Sequence, residues 1–247
     1  MKIEKFKKLK NGMYELQLDN YDKLFTYEEI ILEEELLISK KITPSQMERI
    51  IEKNKYYDCY YSALKIIKRV SKTRLELFLK LKEEYDEEIV NKVLDNLEQH
   101  NYINDRIYAN SYLNSQINTT YHGPSRIKRD LKNKGISSDI IEEVMIQYTD
   151  DIQREKLNKI INKKIKSNHN KSSIVLIRKL KNELQIDGFD SELVNSIISN
   201  IRIEDDSDIR EKEYNKIKSR LEKKYSGKEL EYKIKEKMIQ KGFFSTV

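Results

Sequence analysis

Apolar residues recur at helical spacing in one stretch of the chain, Asp86–Leu97, and the pattern returns twice further on. Counted from Asp86, they stand at offsets +3, +4, +7, +8 and +11, the spacing of one face of an α-helix. The same offsets are apolar from Ser137, 51 residues later, and from Asp190, a further 53 residues on. The residues concerned are Ile89, Val90, Val93, Leu94 and Leu97; Ile140, Ile141, Val144, Met145 and Tyr148; and Leu193, Val194, Ile197, Ile198 and Ile201. Such a return at near-constant spacing predicts structural repeats.

Each repeated stretch starts on a residue that favours a helix N-cap, because Asp and Ser side chains accept hydrogen bonds from a first helical turn. Upstream of each start, two apolar residues four positions apart predict a second amphipathic helix, and a third apolar group predicts another before it. The second-helix pairs are Leu77 and Leu81, Ile127 and Leu131, and Leu180 and Leu184. The third groups are Tyr60, Leu64 and Ile67; Ile107, Tyr108 and Tyr112; and Leu157, Ile160, Ile161 and Ile165. The unit is therefore a three-helix repeat of roughly fifty residues.

The chain ends inside a further copy of this unit. The series Leu230, Ile234, Met238, Gly242 and Phe243 reproduces Leu176, Leu180, Leu184, Gly188 and Phe189 at a spacing of 54 residues. The chain stops where the third helix of this fourth repeat would begin.

The first residues follow a different pattern. Asn11–Gly12 lies between two alternating segments, which predicts a β-hairpin over residues 1–20. Capping boxes starting at Thr26 and at Thr43, the second with Pro44 at the first helical position, predict a helix through Leu37 and another after it. The predicted fold is mainly α, with tandem three-helix repeats in an elongated, curved rod and a small hairpin-and-helix head. The predicted divisions are a head at 1–57, repeats at 58–103, 104–149 and 150–203, and a partial repeat at 204–247.

Composition agrees with an exposed helical array. Charged residues make up 36% of the chain against 38% hydrophobic ones, and six glycines with two prolines leave few tight turns. A single cysteine, Cys59, excludes an internal disulfide and suits a reducing compartment. No apolar run approaches the ~20 residues that span a bilayer, and no signal peptide is apparent, so we expect a cytoplasmic monomer without a membrane partner.

Positive charge is concentrated in one segment of the chain. The net charge is +6, yet residues 152–182 contain ten Lys or Arg and one acid, Glu155, while the rest is close to balanced. Basic residues there, and in the second repeat, stand opposite the apolar positions, as on a surface that binds phosphate or an acidic protein groove. The solvated faces of ordinary amphipathic helices would show the same spacing. The predicted basic face comprises Lys128, Arg129, Lys132, Lys156, Lys159, Lys163, Lys166, Arg178 and Lys181.

Residues that carry catalysis are not grouped in this sequence. His100, His122 and His169 lie far apart and none has a second ligand at helical spacing, so we expect no metal site. No glycine-rich phosphate loop is present, and Cys59 is expected to be a core residue. Of the sixteen tyrosines, Tyr121 is predicted to lie in a loop, where it could stack on a base. We expect a protein that is not an enzyme and binds no cofactor.

Short motifs at the start of the second repeat resemble those of a known family. Residues 101–109, NYINDRIYA, resemble the G-Y-L-[ND]-D-x-x-[FY]-A signature of the RecX family, bacterial regulators of the RecA recombinase. His122–Ile127, followed by Leu131 and Gly135, is similar to the G-P-x-x-I…L…G-I segment of that family. Residues 61–64 and 71–77 resemble its Y-x-A-L and S-x-x-E-L elements, with Arg74 where an acid is usual and Asn101 in place of a glycine. The motif residues are Tyr102, Asp105, Tyr108, Ala109, Gly123, Pro124, Ile127, Leu131 and Gly135.

The resemblance implies a regulator that binds the RecA filament and inhibits its ATPase, strand-exchange and coprotease activities, with single- or double-stranded DNA as a further ligand. Read on their own, the motif residues are mostly structural. A helix junction suits Tyr102, Ile103, Tyr108 and Ala109. Asp105 suits a helix cap, and Gly123 precedes a helix with proline at its first position. The alternative is a helical DNA-binding module that acts without RecA. Against it, no repeat concentrates Arg, Asn and Gln at the N-terminus of a recognition helix.

Overall fold

The computed structural model describes residues 1–168, 171–200 and 207–243. The described residues form three β-strands followed by thirteen α-helices, which confirms a mainly helical fold with a small N-terminal sheet. They fall into two compact units, one comprising residues 1–108 with 134–136 and the other comprising 109–133 with 137–247. Two residues of the predicted patterns, His169 and Ile201, lie outside the described residues.

The head is a three-stranded antiparallel sheet, which adds a strand to the predicted hairpin. Strands β1 (Ile3–Lys8), β2 (Tyr14–Leu18) and β3 (Lys23–Thr26) lie in that order, and Gly12 adopts a φ of +91° at the first turn. The capping box predicted at Thr26 is wrong. Thr26 ends β3 and donates its hydroxyl to Asn54 Oδ1 over 2.9 Å, so it is not free to cap a helix.

The helices that follow are shorter than the predicted one. Helix α1 spans Glu28–Glu33 and α2 spans Leu36–Ser39. Of the two residues between them, Glu34 and Glu35, the second adopts a left-handed φ of +50°. Helix α3 (Pro44–Ile67) starts with the predicted capping box, in which Thr43 Oγ1 accepts from Gln46 N and the Gln46 side chain accepts from Thr43 N. The predicted division between residues 57 and 58 lies within this helix, and the division of the chain into repeats stays a prediction.

Helices α3, α4 and α5 form the first three-helix set. Helices α6 to α8 and α9 to α11 form the second and third sets, and α12 and α13 follow. The bounds are α4 Arg74–Leu81, α5 Glu87–Gln99, α6 Asp105–Thr119, α7 Pro124–Asn133, α8 Ser138–Met145, α9 Asp150–Lys166, α10 Ser173–Ile186, α11 Ser191–Ser199, α12 Ser207–Leu221 and α13 Gly227–Gln240. The predicted starts Asp86, Ser137 and Asp190 are the N-cap residues of α5, α8 and α11. Ser137 and Asp190 accept a hydrogen bond from the first turn, whereas the Asp86 side chain does not.

The cores are built from the apolar positions that the repeat predicts. Cys59 is buried among the helices of the first set, together with the second-helix pair Leu77 and Leu81. In the third set Leu157, Leu184 and Val194 bring α9, α10 and α11 together. Ile107, expected at a helix-packing position, is 61% exposed, and Ala109 and Leu113 are the buried residues of α6.

Truncation of one equivalent position in each core should destabilise the protein. Val93, Val144 and Ile197 occupy the +7 offset of the three sets and are all buried. We expect each change to Ala to lower the free energy of unfolding by ~2–4 kcal/mol, because a cavity remains. Urea unfolding measures the loss. Ile146→Ala, at a position that is 76% exposed, is the control and should change stability by less than about 0.5 kcal/mol. Losses that small at two of the three buried positions would contradict the assigned core face.

Candidate functional site

The second helix of a repeat begins against the turn that ends the second helix of the next repeat. In the first unit, the start of α4 meets the turn at residues 134–136, where Thr73 Oγ1 donates to Lys134 O over 2.7 Å. Gly135 follows with a φ of +82°, and a Cβ there would lie 2.7 Å from Leu75 Cδ2. The N-terminal end of α4 therefore lies against the turn that carries the Lys134 carbonyl, a placement that the partial positive charge of a helix N-terminus favours.

The same joint connects α7 to α10 in the second unit. Gly123 N donates to Asp187 O over 2.7 Å, and Ser125 N donates to Gly188 O over 3.0 Å. The Arg126 guanidinium pairs with Asp187 Oδ1 at 2.7 Å. A Cβ on Gly123 would lie 2.5 Å from the Gly188 carbonyl carbon and from Phe189 N. The motif glycine is thus needed for close backbone approach, a reason that its position before Pro124 did not indicate.

A third joint of this kind lies between α10 and α13. Ser172 N donates to Lys241 O over 3.3 Å, and Gly242 adopts a φ of +84° against Ser172 and Val175. Gly135, Gly188 and Gly242 hold equivalent places in their repeats, and their left-handed φ is cheap only for glycine. The glycines of the motif region therefore serve assembly of the array.

Asp105 caps a helix other than the predicted one. Its own helix α6 is capped by Asn104, whose Oδ1 accepts from Arg106 N and Ile107 N, each at 3.1 Å. Asp105 Oδ1 instead accepts from Arg74 N at 2.9 Å, the first residue of α4. Burial raises the pKa of the Asp105 carboxyl above its ordinary value. The motif aspartate therefore ties the start of α6 to the start of α4.

Removing this acceptor should weaken the first unit. We expect Asp105→Ala to lower the free energy of unfolding by about 1 kcal/mol, the usual cost of losing a helix cap. Asp105→Asn keeps an oxygen acceptor without the desolvated charge and should retain most of the stability. Because the folded pKa of Asp105 is raised, protonation of its carboxyl contributes stability to the folded protein. This contribution is fully present below the unfolded pKa and is lost as the pH rises through the folded pKa. Unfolding at pH 3 to 7 measures this slope, and equal losses in both variants would contradict the capping role.

The other motif residues are mostly structural. Ala109, Ile127 and Leu131 are fully buried, and Pro124 is the first residue of α7. Tyr108 is half-buried, with Lys134 Nζ 5.5 Å from the centre of its ring. Of the residues predicted at the helix junction, Ile103 is buried, whereas the Tyr102 side chain is 55% exposed.

The predicted basic face is only partly a continuous exposed surface. Lys159, Lys163 and Lys166 on α9 are exposed, and Lys159 pairs with Glu155 one turn earlier. Lys156 is half-buried and donates to Gln116 O over 2.8 Å, with its amine 5.6 Å from the centre of the Tyr148 ring. Burial lowers the pKa of Lys156 to about 8. Lys156 therefore supports the fold, whereas the other three lysines face solvent.

An exposed tyrosine extends this lysine surface. The segment between α6 and α7 is held by hydrogen bonds from His122 Nδ1 to Gln116 Oε1 at 2.8 Å and from Tyr148 Oη to His122 O at 3.1 Å. Tyr121 is 49% exposed, and Lys163 Nζ lies 3.1 Å from its hydroxyl and 5.7 Å from its ring centre. We call Tyr121, Lys159, Lys163 and Lys166 the α9 basic surface.

An ion pair joins α10 to α9, and its lysine lies outside the predicted basic face. Glu183 accepts from Lys164 at 3.0 Å and pairs with Lys179 at 3.4 Å. The hydrogen bond from Lys164 holds the pKa of Glu183 below its ordinary value. Arg178 is exposed and Lys181 is half-buried on the same helix. The four-residue spacing of Lys179 and Glu183 is a local signal that favours a pair within one helix, whereas the pairing of Glu183 with Lys164 across helices has no local signal.

The predicted cations of α7 take no part in the ion pairs of Glu183. Lys128 donates to both oxygens of Glu142 on α8, at 2.8 and 2.9 Å. Arg129 and Lys132 are exposed. Lys128 is therefore engaged within its own repeat, and Arg129 and Lys132 are the more accessible of the three.

The described residues carry neither a grouped set of metal ligands nor a membrane-spanning helix. No group of three or more His, Cys, Asp or Glu side chains is arranged there to hold a metal ion. Among the helices of the described ranges, none combines the length and apolar character required to cross a bilayer.

The fold and these surfaces define a helical repeat protein with a small sheet at its N-terminal end. Residues 104–145, which cover α6 to α8, match the family model described as RecX, second three-helix domain. A curated relative from Streptococcus agalactiae, Regulatory protein RecX, is 32% identical over 98% of this chain and 95% of its own length. The relative of the same name from Listeria monocytogenes is 29% identical over 93% of this chain and 87% of its own length.

Solved structures agree with this relationship. A crystal structure of regulatory protein RecX matches 81% of this chain and 99% of its own, with a TM-score of 0.71 and 27% identity. RecX from Lactobacillus salivarius matches 59% of this chain and 95% of its own, with a TM-score of 0.55 and 31% identity. The chain belongs to the RecX family of regulatory proteins.

Proposed function

We propose that this protein regulates RecA by binding RecA or the RecA–DNA filament and inhibiting its ATPase, strand-exchange and coprotease activities. The observation that carries the proposal is its relationship over nearly the whole chain to proteins called Regulatory protein RecX. The α9 basic surface supports it, since exposed lysines beside an aromatic ring suit a filament that carries nucleic acid. The protein would act as a cytoplasmic monomer in DNA repair, recombination and the SOS response.

Co-sedimentation with RecA filaments on single-stranded DNA tests the proposal directly. The protein should sediment with the filament and lower its DNA-dependent ATPase rate in proportion to the amount bound. Filaments are compared with DNA alone at about 50 and 200 mM salt, because phosphate contacts weaken steeply over this range. Binding to neither filament nor RecA, with an unchanged ATPase rate, would refute the proposal.

A second candidate, a DNA-binding module that acts without RecA, is favoured by one specific contact. Lys163 lies over the exposed ring of Tyr121, a combination of cation and stacking platform found at sites for single-stranded nucleic acid. The DNA-alone arm of the same experiment separates the two. Equal binding to naked DNA and to filaments would favour the module, whereas binding that requires RecA favours the regulator.

A further inference from the structure

A groove lies between α12 and α13 of the second unit. None of its lining residues belongs to the α9 basic surface. Its volume is about 410 Å³. Its lining residues belong to the two helices and to the turns that follow them: Glu213, Lys216, Ile217, Arg220, Leu221, Lys224, Tyr225, Lys237 and Lys241. The groove is therefore lined by five cations and one carboxylate.

The one carboxylate is already neutralised. Glu213 is 4% exposed, forms a short ion pair with Lys241, and lies 3.9 Å from Lys216. Lys237 Nζ donates to the neutral Gln240 side chain over 3.0 Å. No carboxylate within the described ranges pairs with Arg220, Lys224 or Lys237. Among the described residues, three cations of the groove are thus exposed and have no carboxylate partner.

An apolar strip separates the two rows of cations. Ile217, Leu221 and Tyr225 follow one another at four-residue intervals, as Lys216, Arg220 and Lys224 do one residue earlier. Ile217 is buried in the core of this helix pair, while Leu221 and Tyr225 are half-buried and line the groove. Lys237 is exposed on α13, and the half-buried Lys241 follows the end of that helix. The groove is therefore amphipathic, with an apolar floor and a cationic rim.

In two other repeats, the groove between the first and second helices has a smaller excess of cations over carboxylates. Between α3 and α4 the lining includes four cations and three carboxylates, of which Glu76 pairs with Lys72 and Lys134. Between α9 and α10 there are three cations, and Glu183 pairs with two of them. The groove between α12 and α13 is the one in which the cations outnumber the carboxylate five to one.

We propose that the groove between α12 and α13 binds an acidic, amphipathic segment of a protein partner. Lys216 and Arg220 lie one turn apart on α12 and Lys224 lies in the turn that follows, which suits about two turns of a helix with acidic residues on one side. A nucleic-acid backbone would neutralise the cations but would leave the apolar floor without a partner. A peptide that combines Glu or Asp with Leu or Phe satisfies both, as in recognition of an amphipathic helix by a groove.

Fluorescence anisotropy with the full chain tests this assignment. The probe is a labelled helical peptide of about 14 residues with Leu on one face and Glu on the others, compared with the same peptide carrying Ser for Leu. The variant Arg220→Glu, Lys224→Glu, Lys237→Glu should bind the Leu peptide at least about tenfold more weakly, because like charges now meet. The control Lys212→Glu, Lys218→Glu, Lys235→Glu changes exposed residues outside the groove by the same charge and should bind it normally.

Three results would overturn the assignment. They are equal losses in the two variants, equal binding of the Leu and Ser peptides, and groove-dependent binding of an oligothymidine of about 20 nucleotides in preference to the peptide. Circular dichroism verifies that both variants are folded. The measurement contains no RecA, so its outcome is independent of the regulation proposed above.

Discussion

Replacing Gly123 with alanine is expected to lower the free energy of unfolding by about 2–4 kcal/mol, although the change adds one methyl group. The new Cβ would lie 2.5 Å from the backbone of Gly188 and Phe189, and backbone atoms cannot rotate away as a side chain can. The joint between α7 and α10 must open to relieve the clash. Opening it weakens the bonds from Gly123 N to Asp187 O and from Ser125 N to Gly188 O.

Gly227→Ala is the matched control for this prediction. Gly227 adopts a φ of +57°, and a Cβ there would have no atom within 4 Å. Its cost should be about 1–2 kcal/mol, that of placing a non-glycine residue in the left-handed region. Urea unfolding of both variants, with amide hydrogen exchange at Ser125, distinguishes general strain from an opened joint. If Gly123→Ala is no more destabilising than Gly227→Ala and Ser125 stays protected, close packing at Gly123 is not what stabilises the joint.

The helices of the repeats could be predicted because their signal is local. The offsets counted from Asp86, Ser137 and Asp190 describe one helix face each, and burial of that face requires no knowledge of the neighbouring helix. The Thr43 capping box was predictable for the same reason, since its two hydrogen bonds join residues three apart. Thr26 presents the same local signal but was misassigned, because a third strand and Asn54 compete for it.

The joints and the exposure of individual cations could not be predicted from local patterns. The joints depend on residues about sixty positions apart, and the contacts of Lys156 and Lys163 on residues about forty positions apart. The recurrence of glycine and phenylalanine at 188–189 and 242–243 was visible, but not that Gly188 meets Arg126. Lys156 has the same helical spacing as Lys163, yet one donates to a carbonyl of α6 and the other faces an exposed ring. Periodicity identifies the polar side of a helix, and only tertiary contacts decide which polar residues remain accessible.

The triple variant Lys159→Glu, Lys163→Glu, Lys166→Glu is expected to abolish most of the inhibition of the DNA-dependent ATPase of RecA while the protein keeps its helical circular dichroism. All three side chains are exposed, so their replacement leaves the core of the third repeat intact. Lys156 is left unchanged because it is half-buried against α6. If these lysines meet phosphates, each lost contact should reduce the salt slope of log K by roughly 0.7 to 0.9, because fewer counterions are released on binding.

The control for this loss is an equal charge reversal far away in the sequence, Lys5→Glu, Lys7→Glu, Lys10→Glu, at exposed positions of the head. It changes the net charge by the same amount, so a general weakening of attraction to a polyanion would affect both variants alike. Inhibition by the head variant should match that of the unmodified protein at about 50 and 200 mM salt, whereas the α9 variant should fail at both. Contacts to acidic RecA side chains would persist on RecA filaments formed without DNA, which separates them from phosphate contacts. Full inhibition by a folded α9 variant would mean that this surface has no part in regulation and that its lysines serve only to solvate the helix.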